Sequence, residues 1–177
     1  MNLANQLTFA RIIISFFCIA AIVRNTTISL IIGLVLFIVA SVTDYFDGYI
    51  ARKKNLVSDL GKIIDPIADK ILIIGVFLAF LQLRVVDVWI VAVIMLREFI
   101  VTGLRLYALR KGVVLEAKMW GKHKTISQIA GIFIIFLLLI LVHYYPESEQ
   151  VAFYYTHIIP WVMIYILCLT LFSGIYY

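Results

Sequence analysis

Proline and glycine are sparse in this chain, three and nine among 177 residues, and nowhere do Ser, Pro or Gly gather into a linker. That excludes tethered domains as the reading, and the lack of any segment recurring at a fixed period excludes a repeat array. Charge is also scarce, with Asp, Glu, Lys and Arg at 14% of residues against 64% hydrophobic. At a mean hydropathy of +1.09 the composition is not that of a water-soluble globule, whose apolar share lies nearer one half. The two cysteines, Cys18 and Cys168, both sit in apolar runs and read as small core hydrophobes. No A-x-A-like site follows the first apolar run, so a cleavable signal peptide is not expected. The net charge of +5 does not argue for a nucleic-acid partner, because membrane proteins concentrate Lys and Arg in cytoplasmic loops. No nucleic acid is expected.

Long apolar runs are what the chain does have. Segments near residues 7–23, 29–50, 63–82, 87–109, 125–143 and 151–174 each approach the roughly 20 residues a bilayer core requires. The expected fold is all-α: a polytopic membrane domain over residues 1–177, with six transmembrane helices and a short N-terminal interfacial segment. With the N-terminus inside, Arg52, Lys53, Lys54, Lys62, Arg110, Lys111, Lys118, Lys122 and Lys124 fall on one side. Arg24, Arg84 and the acidic stretch Pro146-Glu147-Ser148-Glu149 fall on the other. This asymmetry places both termini on the cytoplasmic face of the cell membrane.

On that same face lies the stretch from Asp44 to Asp69, where charge is most concentrated. Asp44 and Asp47 are i,i+3 neighbours, and Asp65 and Asp69 are i,i+4 neighbours, so on helices each pair shares a face. Two like-charged pairs brought together by a helix hairpin need a cation. Their hard oxygen donors suit Mg²⁺ or Mn²⁺, one ion or two, with substrate phosphate oxygens as further ligands. Gly48 and Gly61 lack a Cβ and let a ligand come close. Arg52 follows Asp44 by eight positions and either points at anionic ligand oxygens or snorkels beside Lys53 and Lys54.

The pattern D-x2-D-G-x2-A-R-x8-G-x3-D-x3-D is met at every fixed position and resembles the signature of the CDP-alcohol phosphotransferases, integral membrane enzymes of phospholipid synthesis. The resemblance implies a homodimer in which Asp44, Asp47, Asp65 and Asp69 hold two divalent ions, with Asp69 also the general base. It further implies that Gly48, Arg52 and Gly61 bind the nucleotide end of CDP-diacylglycerol. The N-terminal run Asn5-x-x-Thr8-x-x-Arg11 is similar to the family's first helix, which walls the active site. Asn5 and Thr8 are accordingly candidates for CDP-diacylglycerol and Arg11 for the acceptor, against the plainer reading of an interfacial helix with Arg11 snorkelling.

The fourth segment carries Arg97, Glu98 and Arg105 in apolar surroundings. Arg97 faces the bundle interior, either pairing with an acid such as Glu98 of a neighbouring helix or subunit, or lining a wet cavity. Lys118, Lys122 and Lys124 open the fifth segment and would suffice as anchors at an anionic leaflet. Taken together, Arg97-Glu98-x6-Arg105 and Gly121-Lys122-x-Lys124-Thr125 resemble the branch of the family that uses sn-glycerol 3-phosphate as acceptor. That branch makes phosphatidylglycerophosphate, and Arg97, Arg105, Lys122 and Lys124 would bind the acceptor phosphate. Acceptors of the same chemistry, such as inositol phosphate, and a cardiolipin-forming relative using phosphatidylglycerol remain alternatives. An ion-coupled transporter is a more distant one, since it would spread charge through the membrane depth rather than at one interface.

Overall fold

A computed structural model describes the backbone of residues 3–54, 59–111 and 119–175. Within these, the side chains of residues 3–5, 7, 44–54, 59–66, 106, 109–110, 119–120, 122 and 175 lie outside the described set. Every regular element among the described residues is a helix: α1 (Leu3–Arg24), α2 (Thr27–Lys54), α3 (Asp59–Gln82), α4 (Val88–Arg110), α5 (Met119–Tyr144) and α6 (Glu149–Ile175). Each of the six apolar segments thus falls on one helix. The helices run further than the segments because apolar periodicity marks only the buried part, and Lys and Arg are good helix formers that let α2 reach Lys54 and α5 begin at Met119. The N-terminal segment expected as a separate element is instead the first turns of α1. No proline or glycine between Leu3 and Arg24 interrupts it.

Local chemistry sets the breaks. Asn25 has a φ of 49° and closes α1, the left-handed conformation asparagine tolerates at a helix end. Thr26 then caps α2: its Oγ1 accepts the Ser29 N–H at 3.3 Å, while the Thr26 N–H donates to Ser29 Oγ at 3.0 Å. Arg84 repeats the left-handed stop after α3 with a φ of 57°. Asp87 caps α4 by accepting the Trp89 N–H at 2.8 Å. Ser148 caps α6 through the Val151 N–H at 3.4 Å, and Glu149 in the first turn complements the helix dipole.

The helices pack as two units, residues 1–83 and 84–177. In the first, α1 packs against both α2 and α3. Its buried positions include Thr8, Arg11, Ser15, Cys18 and Ile22, alternating steps of three and four that make one seam, with Ala21 buried beside it. Cys18 Sγ donates to the Gly33 carbonyl oxygen of α2 at 3.3 Å, and an added Cβ at Gly75 would collide with Ile19 Cδ1, so at Gly75 a glycine lets α3 come close to α1. In the second unit α6 packs against α4 and α5 around Ile94, Ile132, Ile135, Phe136, Met163 and Ile166. Gly131 provides the close approach there, since a Cβ would strike Ile166 Cδ1 and lie 3.1 Å from Val162 Cγ1.

Large apolar side chains are also exposed on every helix, among them Phe16, Ile32, Leu78, Trp89, Phe133 and Trp161. A surface of that kind requires a non-aqueous or protein neighbour. Two stretches, His123–Tyr144 and Glu149–Gly174, are by length and composition able to cross a membrane.

Candidate functional site

The acidic motif is carried by α2 and α3 of the first unit. Asp44 and Asp47 lie on α2, and Asp65 and Asp69 on α3, so the helical spacing on which their pairing rests is present in the backbone. Pro66 follows Asp65 in the second turn of α3 and does not stop the helix. Asp69 is half-buried beside the fully buried Ala68. The side chains of Asp44, Asp47, Gly48, Arg52, Gly61 and Asp65 lie outside the described residues, as does that of Asn5.

The register of α1 locates the rest of this unit. The connections between its helices are short, so α2 runs antiparallel to α1 and α3 parallel to it. Cys18 faces Gly33; ten residues back along α1 is Thr8, and ten forward along α2 is Thr43, next to Asp44. Gly75 faces Ile19; eight residues back along each helix are Arg11 and Ile67, the latter midway between Asp65 and Asp69. Thr8 and Arg11, both nearly inaccessible, therefore sit at the level of the aspartates. Arg11 does not snorkel. It is the largest fully buried side chain, on the polar end of the α1 seam with Ser15, whose hydroxyl donates to the Arg11 carbonyl at 2.8 Å.

As a donor set, four aspartates on two adjacent helices fit a hard divalent cation. They offer only carboxylate oxygens, with no thiol or imidazole between residues 44 and 69 to favour a softer metal.

The second unit holds a buried polar cluster on three helices. Glu98 of α4 is its hub: Oε1 pairs with Lys124 Nζ of α5, accepts Gln128 Nε2 at 3.4 Å, and lies 3.8 Å from Arg97 Nη1. Arg97 donates through Nη2 to Ser173 Oγ of α6 at 2.7 Å. Ser173 in turn donates to the Thr170 carbonyl at 3.0 Å, and Ser127 to the Lys124 carbonyl at 2.7 Å. Glu98, Lys124, Gln128 and Ser173 are all buried. Of the two placements open for Arg97, pairing with Glu98 is the one found, but within a single helix and shared with α5. Arg105 is half-buried two turns along α4, and the Lys122 side chain lies outside the described residues.

Two of the expected acceptor residues, Arg97 and Lys124, thus meet at a single carboxylate oxygen. Sequence reasoning passed over Gln128 and Ser173. Lys124 and Gln128 are polar residues at i,i+4 near the start of an apolar helix, a legible sign of a shared polar face. Ser173 gave no such sign, being an isolated serine in a run of large apolar residues.

Comparison with known proteins identifies the scaffold. Residues 1–172 match the family described as CDP-alcohol phosphatidyltransferase. Over 176 residues the chain is 38% identical to the CDP-diacylglycerol--glycerol-3-phosphate 3-phosphatidyltransferase of Bacillus subtilis (strain 168), covering 93% of this chain and 88% of that one. A protein of the same name from Rickettsia felis is 43% identical over 136 residues, 77% of this chain and 75% of its own. Another from Mycoplasma pneumoniae is 42% identical over 118 residues, 67% of this chain and 52% of its own. The chain belongs to the CDP-alcohol phosphatidyltransferase family, an enzyme family dependent on divalent metal.

Proposed function

We propose that this member of the family transfers the phosphatidyl group of CDP-diacylglycerol to sn-glycerol 3-phosphate, releasing CMP and forming phosphatidylglycerophosphate. The observation that carries the acceptor assignment is the meeting of Arg97 and Lys124 on one carboxylate oxygen, an arrangement able to hold a phosphate oxygen between two cations. The names of the relatives agree with it. An acceptor without phosphate would have no use for such a cluster.

In this reading Asp44, Asp47 and Asp65 hold the metal, with Asp69 contributing to a second position. When bound, Mg²⁺ or Mn²⁺, two ions in our reading, neutralises the diphosphate and the departing phosphate. Asp69 takes the proton of the acceptor 1-hydroxyl as its oxygen bonds to the β-phosphorus and the bond to CMP breaks. Arg97, Arg105, Lys122 and Lys124, with Arg11, orient the acceptor through its phosphate. Thr8, Asn5, Gly48, Arg52 and Gly61 receive the nucleotide end of the lipid.

The whole chain serves as one multi-pass membrane domain, with all six helices as spans and both termini and the aspartates at the cytoplasmic face. Nine basic residues against two at alternate ends of the helices and their connections support that orientation, and the apolar side chains exposed on all six helices support the lipid setting. Likeness to the family extends the reading to a homodimer.

The test is CMP release by purified protein given CDP-diacylglycerol and Mg²⁺ or Mn²⁺, with each acceptor offered in turn. Turnover is expected with sn-glycerol 3-phosphate. Turnover with inositol phosphate and none with glycerol 3-phosphate would reassign the acceptor and leave the family intact.

A further inference from the structure

We propose that Ser41 of α2 is a substrate-binding residue: its hydroxyl donates to a carbonyl oxygen of the acyl esters of CDP-diacylglycerol, about one helical turn to the lipid side of the aspartates. This rests on the reading above that the diphosphate of the lipid is held at Asp44, Asp47 and Asp65.

Ser41 Oγ is inaccessible, yet it has no hydrogen-bond partner among the described residues. Other hydroxyls in these helices are satisfied locally. Ser15 and Thr102 donate to the carbonyl four residues back, and Ser127 and Ser173 to the one three residues back. Thr170 Oγ1 of α6 is also without a partner, but it is not on a helix of the acidic motif. A buried donor left without an acceptor is destabilising where an alanine would not be, so the Ser41 hydroxyl fits a place that receives its acceptor from a ligand.

Position says which ligand. Ser41, Asp44 and Gly48 stand at i, i+3 and i+7, one face of α2. With Cys18 against Gly33, Ser41 is level with Ala10, next to the fully buried Arg11. With Gly75 against Ile19, Ala10 and Arg11 are level with Pro66 and Ile67, between Asp65 and Asp69. Along the axis Ser41 is about 4.5 Å from Asp44, towards the membrane interior in the orientation proposed above. Around the helix it marks a border, since Ala40 is fully buried while Ile31, Val35, Ile38 and Val42, at steps of four, three and four, form an exposed apolar stripe. A lipid with its diphosphate at the aspartates and its chains in the bilayer brings its glycerol esters to the depth of Ser41. Ester carbonyls only accept and a serine hydroxyl can donate. Cytidine and the acceptor phosphate stay on the water side, which leaves the ester region as the partner.

The test is CMP release by the full chain in detergent with Mg²⁺ or Mn²⁺, comparing CDP-diacylglycerol with its dialkyl ether analogue of equal chain length, which keeps the diphosphate and the tails but has no carbonyl. Ser41→Ala is expected to raise KM for the ester lipid about fivefold, while kcat, KM for sn-glycerol 3-phosphate and KM for the ether lipid stay within about twofold of wild type. Ser41→Thr, which keeps a hydroxyl, should retain the preference for the ester. Lipid-free Ser41→Ala should melt no lower than wild type, because alanine removes a hydroxyl that has no partner. An unchanged KM for the ester lipid in Ser41→Ala overturns the proposal, and so does an equal rise for both lipids, which would move the bond to the phosphate. A lower melting temperature accompanied by losses with both lipids would make the role structural and overturn it as well. Turnover with inositol phosphate in place of glycerol 3-phosphate would refute the acceptor assignment alone, and the two lipids compared with that acceptor would still judge Ser41. A wild type that used neither lipid would overturn the site and this proposal together.

Discussion

Replacing Lys124 by methionine isolates the worth of the ion pair at the centre of the second unit. Methionine keeps the length and apolar stem of lysine but leaves Glu98 without its closest cation. The side chains of Glu98 and Lys124 are 11% and 8% exposed, so the pair is treated as buried. Removing one partner of such a pair costs about 3–5 kcal/mol, because the remaining charge stays desolvated. Gln128 at 3.4 Å and Arg97 at 3.8 Å still face the carboxylate and offset part of this, which argues for the lower end, about 3 kcal/mol. For a chain of this size that corresponds to a melting temperature lower by about 6–12 °C. Glu98→Leu combined with Lys124→Met removes both charges and should recover at least half of the loss, since an apolar pair of similar volume is tolerated where a lone charge is not. Thermal unfolding of detergent-purified wild type, both single variants and the double variant, followed by size exclusion, measures the cycle. A Lys124→Met protein that melts with the wild type, or a double variant whose loss is the sum of the singles, would refute the claim that these side chains form one buried unit.

Asp44→Asn or Asp65→Asn should abolish CMP release by weakening metal binding, and wild-type turnover by either at low metal would remove that aspartate from the site. Arg105→Ala should raise KM for sn-glycerol 3-phosphate more than KM for CDP-diacylglycerol; the opposite pattern would move Arg105 to the nucleotide. Gly131→Leu should lower the melting temperature by several degrees, since overpacking a filled helix contact costs about 1–3 kcal/mol, and Val162 and the fully buried Ile166 leave little room. Unchanged melting would show that α5 and α6 are looser there than Gly131 implies.

Much of the architecture could be read from the residues because one signal dominates it. Six apolar runs became six helices, since a long run with few glycines and prolines has few other ways to satisfy its backbone. The ends were less legible. Lys53 and Lys54 belong to α2, and Lys122 and Lys124 to α5, by helix propensity, which apolar runs do not register. The acidic motif was legible through its spacing, a property of one or two helices. The cluster around Glu98 was not, because its closest pair joins residues 26 positions apart and its contact to Ser173 joins α4 to a serine 76 positions beyond Arg97. The α1 seam was missed for a related reason: Thr8 and Arg11 were read only as pocket candidates or as part of an interfacial helix, and Ser15 not at all, until their burial shows them to continue it.

That seam bears on the site proposed at the aspartates. Its far half, Cys18 and Ile22, is apolar and buried, with Gly75 of α3 against Ile19 and the Gly33 carbonyl of α2 against Cys18. Its near half places a threonine, an arginine and a serine at the same spacing, where continued apolar packing would be expected from stability alone. Burying a guanidinium is costly unless it is compensated, and the register sets Arg11 at the level of Asp65 and Asp69, the part of this unit richest in acid. The same seam thus changes from a device for packing to one for handling charge within about two helical turns. The apolar half fixes the register on which that arrangement depends. A change at Gly75 or Gly33 should therefore disturb catalysis as well as stability, even though neither glycine lies among the aspartates.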